Sequence, residues 1–164
     1  LVTRTAPFEN AVLDEHRRAR LDDVHVNLCR GEVAADHHEE AMTPLAQLDR
    51  GWQLVEDPAA GVAAVRSGAT SRDVDRACRD VIDDYGWSER FTHGTGHGVG
   101  LDIHEAPRVS SASDATLEAG FVVTVEPGVY IDPHGGVRVE DTVVVTDTGC
   151  TVLTKSPKSL SVVG

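Results

Sequence analysis

Three histidines fall in one glycine-rich stretch, HGTGHGVGLDIHE over residues 93–105, and they are the first residues in the chain whose spacing could do chemistry. Glycine at almost every second position is costly inside a helix or a strand. It is reasonable where the backbone passes close to a ligand or takes positive φ, so the stretch is read as a site loop. His97 is the candidate ligand, with His93 and His104 projecting nearby. The competing reading is three surface histidines, which need no functional explanation.

Two carboxylates follow. In FVVTVEPGVY, residues 121–130, Glu126 closes an apolar strand just before Pro127 and Gly128, and the period of two puts Thr124 on its face. In GGVRVEDTVVV, residues 135–145, Arg138 and Glu140 share one face while Val137 and Val139 share the other. Inside a sheet, such an Arg and Glu either pair with each other or answer a buried charge such as a metal. On a solvated face they would be an ordinary surface ion pair. One imidazole and two carboxylates form a nitrogen and oxygen donor set suited to Mn, Co, Fe or Zn rather than to Ca or a thiolate-loving metal. A hydroxide shared by two such ions would attack a carbonyl while the metals polarise it, which makes hydrolysis the natural chemistry.

The elements that must position these residues are partly visible. Ala59, Ala60, Val62, Ala63 and Val65 predict a helix, with Gly68 as its C-terminal cap. Thr70 or Ser71 caps a second helix, in which Val74, Ala77, Cys78, Val81 and Ile82 recur at helical spacing while Arg72, Asp75, Arg76, Arg79 and Asp83 face elsewhere. Gly86 ends it. Cys78, on the apolar stripe, reads as a small buried hydrophobe rather than a reactive thiol. Residues 122–125, 137–145 and 151–153 are β-branched runs that predict strands of an antiparallel sheet. Pro133, Gly135 and Gly136 are expected to turn between the first two, setting Glu126 and Glu140 face to face.

At 164 residues with 40% hydrophobic content, the chain is long enough for one domain with a real core. A soft boundary near Asp57 and Pro58 separates an unassigned segment, 1–57, from 58–164. Within that first segment, DHHEE at 36–40 is tempting as a metal site. However, adjacent histidines such as His37 and His38 do not share a face, and a mixed charged run is usually a solvated surface. The net charge of −12 repels phosphates and anionic membrane surfaces, so neither nucleic acid nor membrane is an expected partner. Cys29, Cys78 and Cys150 are far apart and odd in number, which indicates neither a disulfide framework nor a cysteine zinc site. With no apolar run of spanning length and no secretory pattern, a cytoplasmic location is expected.

The segments around His97, Glu126 and Glu140, taken in order with RSGATSRDVD, APRVSSASD, EPG and LTKSPKSL, resemble the C-terminal half of the pita-bread metallopeptidases. The resemblance is closest to the Xaa-Pro dipeptidase (prolidase) and aminopeptidase P branch. It implies an α+β fold of the creatinase/aminopeptidase type, incomplete over 58–164, with a curved antiparallel sheet and covering helices. It also implies that His97, Glu126 and Glu140 are metal ligands, and that the complete site holds two divalent ions, Mn first among the candidates. Glu126 would exchange a proton with the attacking water, and His93 and His104 would sit on the substrate side, stabilising the oxyanion. Arg138 matches an arginine beside the last ligand. The implied substrate is a proline-containing peptide.

Two aspartate ligands of the family, one in a DxG context and one just before an xTRT sequence, have no counterpart, and if LVTRT matches the latter then Leu1 stands in the aspartate's place. The expectation is a truncated chain that binds one ion weakly and hydrolyses little. The alternative is a catalytically dead pita-bread module that binds peptides or protein partners. Half of a pseudo-symmetric fold would also leave apolar surface uncovered, which invites self-association, a homodimer included.

Overall fold

The structure, a computed structural model, describes residues 24–28, 59–132, 135–156 and 158. The LVTRT opening, the DHHEE run, Pro133, Pro157 and residues 159–164 lie outside those residues. Two helices carry the apolar stripes: α1, Ala59–Ala64, and α2, Ser71–Asp84. Gly68 has φ +83° but comes four residues after α1 ends, so it turns the chain toward the next cap rather than closing the helix. Thr70 then starts α2 with a capping box, its hydroxyl accepting from the Asp73 N–H while the Asp73 carboxylate accepts from the Thr70 N–H. The Thr70 hydroxyl also donates to Asp73 and so holds that carboxyl below its ordinary value. At the other end, the Gly86 and Trp87 N–H groups return to the Asp83 and Ile82 carbonyls, with Gly86 at φ +75°, which is a Schellman closure.

All strand pairings are antiparallel and fall into two sets. One joins β1 (Val24–Leu28), β6 (Gly135–Val139) and β5 (Gly128–Ile131) in the order β1-β6-β5. The other, in the order β3-β2-β4-β7-β8, joins β2 (Gly96–Gly98), β3 (Glu105–Val109), β4 (Val122–Val125), β7 (Asp141–Val145) and β8 (Cys150–Val152). The core lies between α2 and these sheets, where Val74, Cys78 and Ile82 meet Val109, Val123, Val125 and Val143.

Three expectations change here. The run 137–145 is two strands rather than one, broken at Glu140, where the chain passes from one sheet to the other. The hairpin through Gly135 and Gly136 joins β5 to β6, so Glu126 and Glu140 are brought together instead by the β4–β7 pairing, with Val125 opposite Asp141. The glycine-rich stretch is not all loop, because β2 and the start of β3 lie in it. Its glycines are there for close approach: a Cβ on Gly98 would sit 2.2 Å from the Ala106 carbonyl oxygen.

Cys78 is a buried hydrophobe, as its place on the stripe requires. Burial pushes its thiol from 9.0 up to about 12. Because the folded state keeps this proton to a higher pH than the unfolded chain, stability is unaffected below about pH 9 and falls as pH rises from there toward 12. Cys78→Ala should therefore be less stable than the parent near neutrality, and the gap should narrow by about 2 kcal/mol at about pH 10.5. Urea unfolding at the two pH values measures this, and a constant gap would refute it.

Candidate metal centre

His97 is the middle residue of β2, a strand held between β3 and β4. Its N–H donates to the Thr124 hydroxyl at 3.0 Å, and that hydroxyl donates to Glu126 Oε1 at 3.0 Å, so one buried threonine aligns both candidate ligands. The Gly98 carbonyl, 2.9 Å from His97 Nδ1, accepts only from a protonated Nδ1, which leaves Nε2 facing Glu126 Oε1 at 3.3 Å. Two donors at that separation suit neighbouring ligands on one ion with bonds of about 2.0–2.2 Å.

Glu126 is 8% exposed and comes one residue after β4, where the chain crosses to β5. Arg138, on β6, spans both carboxylates, with Nε 3.3 Å from Glu126 Oε2 and a terminal nitrogen 3.5 Å from Glu140 Oε2. The Nε contact falls outside hydrogen-bond geometry, so this buried donor is unsatisfied. The guanidinium thus supplies the positive charge that the two carboxylates demand. Accordingly, among the described residues no three His, Cys, Asp or Glu side chains converge on one point. The donor chemistry fits a divalent cation, and His97 and Glu126 have the separation for one. Glu140 is connected to them through Arg138.

His93 and His104 flank this pair in different ways. His93 Nε2 lies 3.0 Å from the Tyr130 hydroxyl, and its ring packs edge-on to Phe91 and Tyr130. His104 is exposed, with its ring centroid 4.2 Å from that of His97. An open cavity of about 560 Å³ is lined by His93, His97, His104, Arg108, Glu126 and Arg138 among others. All the sequence-predicted site residues except Glu140 thus face one space, and Arg138 links Glu140 to it. Sequence reasoning missed Tyr130, whose phenol burial pushes up, and Asp75, which is fully buried although helical spacing placed it off the apolar face.

The profile of metallopeptidase family M24 matches residues 32–147, well over half the chain. The chain belongs to metallopeptidase family M24. An Xaa-Pro dipeptidase of Pyrococcus furiosus is 44% identical over 107 residues, covering 65% of this chain and 31% of that protein. An uncharacterized peptidase of Bacillus subtilis is 48% identical over 118 residues, 71% of this chain and 33% of that one. Among solved structures, an Xaa-Pro dipeptidase from Bacillus anthracis superposes with TM-score 0.67 at 44% identity, covering 78% of this chain and 35% of that chain. The prolidase from Pyrococcus furiosus gives 0.65 at 38% identity, over 76% and 35%. This M24 chain therefore spans about a third of the relatives it matches. Its mixed α+β architecture is the pita-bread fold in part, and M24 peptidases depend in general on divalent metal. Among the described residues no helix is long and apolar enough to cross a membrane.

Proposed function

We propose that the chain carries part of the site of an Xaa-Pro peptidase, with His97, Glu126 and Glu140 as ligands to a divalent cation, Mn before Co, Zn or Fe. The observation that carries this reading is the 3.3 Å approach of His97 Nε2 to Glu126, with both groups aligned by Thr124. A bound cation supplies Lewis acidity and a nucleophilic water at neutral pH. The chain's own residues do the rest. Glu126, buried and beside the cavity, takes the proton of the attacking water and returns it to the departing proline nitrogen. His93 and His104 donate to the developing oxyanion or hold the proline-side carboxylate. Arg138 neutralises the carboxylates when no cation is bound.

The substrate class, peptides cleaved before proline, follows from the names of the M24 relatives. One imidazole and two carboxylates fall short of a two-ion set, so the chain by itself should bind one ion weakly and turn over slowly. Free Cys78 and Cys150 accord with a cytoplasmic setting. In a calorimetric titration with Mn, the expected result is one weak site, accompanied by little cleavage of an Xaa-Pro dipeptide. Robust turnover would refute the one-ion reading. A metal-free chain that still binds the dipeptide would favour a binding module instead.

A further inference from the structure

Asp75 is a carboxylate with no solvent exposure, on the helix rather than in the site, and the chemistry above leaves it without a role. Its partners connect it to that chemistry. Oδ1 accepts from the Thr95 N–H at 3.0 Å and from the Thr95 hydroxyl at 2.9 Å, while Oδ2 accepts from Arg79 Nε at 2.7 Å. Arg79 in turn donates to the carbonyls of Phe91 and His93 and lies 4.3 Å over the Phe91 ring. On the far side of Thr95, its carbonyl accepts the Glu126 N–H at 2.7 Å. The pair, with Asp75 fully buried and Arg79 partly so, thus grips segment 91–95 at three residues, and one of them, Thr95, is bonded directly to Glu126 and stands two residues before His97.

An ion pair with a buried partner contributes little net stability compared with apolar packing. What a fully satisfied buried network does supply is a single allowed geometry. We propose that Asp75 and Arg79 are positioning residues, which fix the backbone of 91–95 through Thr95 and so set the separation of His97 from Glu126. The proposal rests on the reading of those two residues as ligands. It assigns α2 a part in the site that no contact with substrate or cation would reveal.

Thr95→Val keeps side-chain volume and removes one of the donors to Asp75, Thr95→Ser restores it, and Asp75→Asn removes the charge. Amide hydrogen exchange on the full 164-residue chain should accelerate at least tenfold at position 95 and at Glu126 in Thr95→Val, while the Val123 and Val143 amides stay within about twofold of the parent. Mn affinity should fall about tenfold to a hundredfold in Thr95→Val and Asp75→Asn and return in Thr95→Ser. Acceleration spread evenly over α2 and the sheet, in step with the drop in Tm, would mark a purely stabilising pair and overturn the proposal. So would unchanged exchange at position 95 and Glu126. If the unaltered chain takes up no Mn, the ligand reading fails on its own, and the exchange measurement still decides whether the pair positions the segment.

Discussion

Gly96→Ala is expected to be the most damaging single-methyl change in the described part of the chain, with a loss of about 3 kcal/mol or more and collapse of the His97 site. A Cβ at this position would lie 1.9 Å from the Thr124 carbonyl oxygen and 2.8 Å from its hydroxyl. Neither can retreat, because Thr124 is 2% exposed and β4 is paired with β7 on its other side. The strand bearing His97 would have to leave β4, taking the imidazole out of register with Glu126. Gly149→Ala is the matched control, since a Cβ there meets nothing within 4 Å. Urea unfolding followed by circular dichroism compares the two. Equal midpoints for Gly96→Ala and Gly149→Ala would sink the argument.

Glu126→Gln should have the largest effect on cation binding. The change preserves shape and leaves an oxygen to accept from the Thr124 hydroxyl, but it removes the charge facing His97 and Arg138. Outer-shell partners of metal ligands are typically worth tenfold to a hundredfold in affinity. Loss of a charged ligand should therefore weaken Mn binding by about a hundredfold or more, and any Xaa-Pro cleavage should vanish with it. Stability should change far less, because Arg138 keeps Glu140 as a partner. Glu118→Gln, on an exposed residue, serves as the control and should bind Mn like the parent. Undiminished Mn affinity in Glu126→Gln would remove Glu126 from the ligand set.

What could be read in advance was local. The apolar stripe of α2, its Thr70 cap and its Gly86 closure depend on neighbours within a turn or two, and β4 declares itself by a β-branched run. His93, His97 and His104 stood out by the glycines between them and Glu126 by its place at a strand end, while the resemblance to the pita-bread metallopeptidases joined Glu140 to them as a group. The parts that stayed hidden depend on residues far along the chain. Nothing in the alternation of 137–145 marks a break, yet the Glu140 carbonyl is withdrawn from the ladder to accept from Lys158 Nζ at 2.8 Å. Asp75 adjoins Val74 on the helix, and its burial is decided by Thr95, twenty residues on. Tyr130 meets His93 across thirty-seven positions. The glycines of β2 suggested a loop because their purpose, room for a neighbouring carbonyl, exists only once the strands have paired.

Glu126 and Glu140 mark two places where the chain leaves one sheet directly for the other, from β4 to β5 and from β6 to β7. A cation gripped by both would act mechanically as a rivet through two plates, and Arg138 would be the spring that keeps them aligned while the rivet is out. Affinity for the ion then becomes a gauge of the angle between the sheets. Any partner, temperature or distant substitution that tilts one plate against the other would register first as a change in that affinity, before any strand has come apart.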